Sequence, residues 1–138
     1  MKLKQCLEEG LLKKTTPSIK MANASLGKSE AYIDKAVSNM GIGNYDLAIV
    51  CAYTSMFHAA RSVLFRDGFK ERSHVCLISY LEEMYPELKS YAAQVDQYRR
   101  ARHTVLYALD SVQTRADAEI AIGEARAFSK KVASMLSR

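Results

Sequence analysis

"NYDLAIVCAYTSMFHAARSVLFRDG", Asn44 to Gly68, is the stretch on which the fold turns. Apolar residues fall on almost every side of a helix drawn through it, the pattern of a helix packed between other helices. Gly68 closes it. One narrow polar line interrupts the apolar surface: Thr54, His58 and Arg61 stand at i, i+4 and i+7, with Tyr53 about a quarter-turn away. For His58 alone a hydrogen-bonded core histidine is the plain reading. Together with Arg61 it suggests that this side of the helix faces something polar.

Outward from this segment the period stays helical. Upstream, Leu3, Leu7 and Leu11 make a short amphipathic piece that "TTPS" breaks, with Thr16 expected as an N-cap and Pro17 as a first helical residue. Ile19, Ala22, Leu26, Ile33, Val37 and Met40 stripe a second helix that Gly41–Gly43 ends. Downstream, "FKERS" reads as a loop, and a shorter helix starts near Ser73. Pro86 separates that helix from one expected to run to about Asp110. Thr114 caps the last helix with Asp117 at the capping-box position, and Ala118, Ala121, Ala125, Phe128, Val132 and Met135 form its buried stripe. No strand alternation competes. The expected fold is all-α: an up-and-down bundle of about five main helices in one domain spanning 1–138.

Composition narrows the function classes. Three cysteines with no C-x-x-C pair argue against a disulfide framework and a zinc site, and Cys51 and Cys76 read as small core residues. The histidines lie in separate segments without ligand spacing, so neither a metal nor another cofactor is expected. The longest apolar run is shorter than a membrane span, and the N-terminus lacks a signal-peptide core. A cytoplasmic address and no membrane partner are the expectation. The net charge of +5 makes an anionic partner plausible.

Three arginines and a histidine stand close together in "DQYRRARHTVLYALD", Asp96 to Asp110. On a helix, Leu88, Tyr91, Val95, Tyr98, Val105, Leu106 and Leu109 share an apolar face. Arg102 projects into its middle and Arg99 sits at its edge. Arg100, His103 and Tyr107 ride the adjoining flank. A guanidinium on an apolar stripe must snorkel, pair with an acid, or open onto a cleft or interface where phosphates dock. Ser73 and His74, at the start of a helix beside "RDGFKER", add a second basic region; a solvated loop with a cap is the plainer reading there.

"AYTSMFHAARSVLFRDGFKERSH" (52–74) and the arginine-rich "RRARHTVLY" (99–107) resemble segments of HEPN domains (higher eukaryotes and prokaryotes nucleotide-binding), and helix order is similar from about Lys2 to Leu136. The resemblance implies a helical bundle, commonly a homodimer and often the partner of a minimal nucleotidyltransferase. Many such proteins are metal-independent ribonucleases of toxin–antitoxin systems, with an arginine and a histidine separated by four to six intervening residues. By that carry-over Arg99 and His103 are the catalytic candidates. Arg102, Arg100, His58, Arg61, Tyr53 and Tyr107 are the candidates for binding nucleotide or RNA phosphate. The positions where the motif arginine belongs hold Tyr98, Gln97 and Asp96, and Arg99 is one residue too close. Phosphate binding as a partner subunit is therefore placed ahead of cleavage, with a non-catalytic dimeric scaffold as a third reading.

Overall fold

The computed structural model describes all 138 residues. The chain runs α1 (Leu3–Glu8), β1 (Leu12–Lys14), α2 (Ile19–Gly41), α3 (Tyr45–Asp67), β2 (Phe69–Glu71), α4 (His74–Met84), a 3₁₀ turn (Pro86–Leu88), α5 (Lys89–Tyr107) and α6 (Arg115–Leu136). Helix takes 78% of the residues, so the protein is an all-α bundle with five long helices and one short one.

The central segment forms α3, as its all-round apolarity requires. It packs against α2, α4, α5 and α6, and twelve of its residues are buried. By length and a mean hydropathy of 1.3 over its most apolar stretch α3 is also long and apolar enough to cross a membrane, longer than the sequence pattern suggested. In this fold it is the core helix. Gly68 caps it at φ +86°, and a Cβ there would lie 2.8 Å from both Pro17 Cγ and Thr15 O. That left-handed, crowded position admits only glycine without strain.

The α2–α3 seam is built from small residues: Ala22, Ser25, Ser29 and Ala36 against Ala48, Ala52, Ser55, Ala59 and Ser62. Small side chains let the two backbones approach closely, and the hydroxyls they bury are paired. Ser25 Oγ donates to His58 O at 2.7 Å, Ser62 Oγ donates to Ala22 O at 2.7 Å, and Ser29 and Ser55 bond each other at 3.0 Å. On α6 every residue of the expected stripe is buried, and Thr114 and Asp117 complete the capping box.

Four expectations are corrected. The "FKERS" loop contains β2, which pairs antiparallel with β1 in the register Leu12↔Glu71, Lys13↔Lys70, Lys14↔Phe69. Three-residue strands are too short to carry a period-2 signal. Second, α2 is capped by Ser18, whose Oγ accepts from Met21 N, rather than by Thr16. Thr15 N and Ser18 N instead donate to Gly68 O and Phe65 O, so the "TTPS" segment is held against the end of α3. Ile19 lies exposed as a result.

Third, α5 ends at Tyr107 and buries only Ala92 and Val95. Leu106 is exposed and Leu109 is fully exposed, because no element covers the far end of that face. Periodicity shows which residues share a face, not whether a neighbour reaches it. Fourth, Cys6 and Cys76 are joined as a disulfide, with Cα atoms 5.8 Å apart and a sequence separation of 70. It ties α1 to the first turn of α4. Cys51 is the one free cysteine, and it is only half-buried.

Candidate functional site

Three elements bring the basic and aromatic side chains together. On α3, Tyr53 is 3% exposed, and its hydroxyl lies 2.5 Å from Nδ1 of His74, the first residue of α4. The His74 ring stacks on Phe57 with centroids 4.3 Å apart. From α5, Arg102 lays its guanidinium over the Tyr53 ring, 5.6 Å from the centroid, inside the range where a cation is drawn to a ring face. Of the outcomes open to a guanidinium on this helix face, Arg102 takes the one that docks it on an aromatic ring while leaving it exposed to solvent.

Arg99 lies on the same side. Its Nε donates to Asp96 Oδ1 at 2.9 Å, and Arg100 Nε reaches the other oxygen, Oδ2, also at 2.9 Å. One carboxylate therefore tethers two arginines at i+3 and i+4, the spacing at which side chains meet on one helix face. Arg100 is largely exposed. His103 and Tyr107 face each other at 4.9 Å on the exposed flank, as helical placement predicted, and both open to solvent. Arg99 and His103 do not converge on a shared partner: Arg99 is turned to Asp96, His103 to Tyr107.

The second polar line lies one step round α3. Thr54 bonds back to Val50 O and is spent on its own helix. His58 stacks on Tyr32 of α2 at 5.6 Å and meets the edge of Phe57 at 5.4 Å. It lines an open depression of about 450 Å³ with Met21, Ser25, Lys28, Arg61 and Phe65. None of the α5 arginines line this depression, so His58 and Arg102 do not face one shared cavity. They occupy adjoining patches with Phe57 between them, since that ring touches both His58 and His74.

Arg61 serves both patches. Its guanidinium lies over the Phe57 and Phe65 rings at 5.5 and 5.1 Å, and its Nε stands 2.9 Å from Glu71 Oε1. That N–H is not aligned on the carboxylate, and Glu71 Oε2 is sealed from solvent with no donor. The pair is held by charge proximity rather than by a directed hydrogen bond. Strand β2 places Glu71 there.

The electrostatics follow from this crowding. Burial lowers the His74 pKa below the usual imidazole value, and Arg102, Arg99 and Arg61 lower it further by disfavouring a second positive charge. Burial also lowers His58, with Arg61 and Lys28 adding to it. Burial raises Tyr53, against the pull of Arg102 and Arg99. Burial raises Glu71, partly offset by its own backbone, Arg61 and Lys70.

A pH dependence results. The unfolded imidazoles take up protons near pH 6.5 and the folded ones only below that, so the unfolded state binds more protons as pH falls. The contribution from His58 and His74 is fully present above about pH 6.5 and is lost as pH drops through their lowered folded values. Glu71 acts in the opposite sense, because its folded value is raised. Urea titrations at about pH 7.5 and about pH 5.5 should show lower stability in acid. The double variant His58→Gln, His74→Gln should show a smaller difference between the two. An equal drop in both proteins would remove the histidines as its source.

His74, Phe57, Asp96 and Glu71 are the residues the sequence reading did not place in the site. His74 stood next to a basic loop and a capping serine, which was a usable signal. Glu71 became visible only once β1 paired with β2.

The fold and this face define an all-helical domain with arginines and stacked aromatic rings gathered where α3, α4 and α5 meet. The chain belongs to the HEPN domain family, whose pattern it matches over residues 22–135. No curated protein matches it. Membership supports a function related to nucleotides or RNA.

Proposed function

We propose that the protein is a subunit that binds nucleotide or RNA phosphate, works as a homodimer beside a minimal nucleotidyltransferase in a two-component system of the toxin–antitoxin kind, and resides in the cytoplasm. The observation that carries the binding part is the Arg102–Tyr53–His74–Arg99 cluster. It offers an exposed guanidinium held over a buried aromatic ring with a second arginine beside it, an arrangement suited to holding phosphate oxygens. The turning of Arg99 to Asp96, away from His103, supports binding over cleavage.

Binding to a short single-stranded RNA at low salt, followed by fluorescence anisotropy, tests this. Affinity should fall with salt with a log–log slope of about −0.7 per phosphate contacted. Arg102→Ala should weaken binding about tenfold, whereas Arg100→Ala, exposed and away from Tyr53, should change it by about twofold or less. No binding at low salt, with or without a co-expressed transferase, would overturn the proposal. Cleavage of the RNA in EDTA that vanishes in His103→Ala would replace it with the ribonuclease reading.

A further inference from the structure

We infer that His74, as a neutral imidazole whose tautomer is set by Tyr53, is the histidine of this protein that contacts the bound phosphodiester, presenting its Nε2–H to a phosphate oxygen. The inference rests on the phosphate-binding reading above and goes beyond it by naming the contacting residue, its protonation state and the device that fixes both.

The hydrogen-bond geometry points to one tautomer. Tyr53 is buried, and the one hydrogen-bond partner of its hydroxyl is His74 Nδ1. A buried phenol O–H with a single partner donates to it, because otherwise its proton would be left without an acceptor. Nδ1 is then the acceptor nitrogen, and in a neutral ring the hydrogen must be on Nε2. Nε2 makes no hydrogen bond within the chain, and it is not among the buried polar atoms left without a partner. It is therefore open to a ligand, with the ring held in orientation by Phe57 stacked on one face.

The charged groups around it agree. Arg61 approaches from α3 and Arg99 and Arg102 from α5, all repelling a second positive charge on the ring. Asp96 on α5 is occupied by Arg99 and Arg100, and Glu71 on β2 stands against Arg61, so neither carboxylate pairs with the imidazole. The arginines supply the charge that draws an anion, and His74 supplies a directed donor that does not compete with them for it. A neutral imidazole acting as a donor keeps this role across the neutral range. The solvent-facing His103 lacks any such device.

The experiment uses the full-length, ¹⁵N-labelled protein and an oligouridylate, whose phosphodiesters keep their charge throughout the range tested. Long-range ¹H–¹⁵N spectra of the free protein should show His74 as the neutral Nε2–H form at about pH 7. In Tyr53→Phe the Nδ1 shift should move, because it loses its donor. Adding the oligonucleotide should move the Nε2–H signal of His74. The dissociation constant should agree within about twofold between about pH 6.5 and about pH 8. His74→Ala should weaken binding about tenfold, and His74→Gln, whose amide N–H reaches the Nε2 position, should recover most of it.

Three results overturn the inference: a Nδ1–H or doubly protonated His74 in the free protein, wild-type affinity in His74→Ala, or equal loss in His74→Ala and His74→Gln. Wild-type affinity in His74→Ala removes only this inference and leaves the phosphate-binding function standing. A wild-type protein that binds no oligonucleotide removes both.

Discussion

Replacing both Cys6 and Cys76 by alanine should lower the stability of the folded protein by about 4 kcal/mol and its melting temperature by on the order of 10 °C. The pair closes a loop of 70 residues, and confining a loop of that length in the unfolded chain removes much of its conformational entropy. Both cysteines are fully buried, so alanine avoids placing a new polar group in the core. Reductant should bring the wild type close to the double variant and leave the variant itself unchanged. A thiol count on the denatured protein should give one reactive thiol, Cys51, before reduction and all three after it. Three thiols without reductant, or a double variant as stable as the wild type, would show that the crosslink does not form.

Asp67→Ala should cost about 3 kcal/mol, through a network separate from the candidate site's contacts. At the last turn of α3, Asp67 Oδ2 accepts from Tyr80 OH at 2.7 Å and also from Tyr85 OH, while Oδ1 accepts from Arg66 Nε at 3.2 Å. Arg66 also donates to Tyr85 OH at 2.8 Å and to Met135 O at 3.0 Å, which carries the network to the end of α6. Removing the carboxylate strands two phenol donors and one face of a guanidinium in a partly buried place. Tyr80→Phe removes a single donor from the same oxygen and should cost about 1 kcal/mol. Denaturation midpoints of the two variants give the ranking, and a Tyr80→Phe loss equal to or larger than that of Asp67→Ala would contradict it. The shift of the Tyr80 hydroxyl has the same origin: burial, then the hydrogen bond to Asp67, raise it far above the ordinary phenol value.

These two predictions concern contacts that no local pattern announces. The cysteines lie 70 positions apart. The Asp67 network draws on α3, α4, the Pro86 turn and α6. By contrast, what depends on neighbours along a helix was legible. The buried stripe of α6, the Thr114–Asp117 box, the Ser73 cap and the Gly68 stop all follow from residues within a few positions of one another. The flank of His103 and Tyr107 was legible for the same reason.

The candidate site divides along this line. The sequence marked Arg102, with Arg99 at the edge, and the His58–Arg61 line as polar groups out of keeping with their helix faces, with Tyr53 close by. It could not say that Arg102 docks on Tyr53 while His58 faces another patch, since that depends on how α2, α4 and α5 are rotated about α3. Nor could it find the Tyr53–His74 bond, which joins two helices through side chains alone.

What the sequence by itself determined is the all-helical bundle, with α3 as its core and the arginine cluster on α5, because helical period and capping are set by interactions within a turn or two. What only the tertiary structure decided is the β1–β2 pairing, the Cys6–Cys76 link, the exposed end of α5 and the Tyr53–His74 contact beside Arg102. Each of these depends on which distant segment comes to lie alongside, and that is set by burial and packing of the whole chain at once.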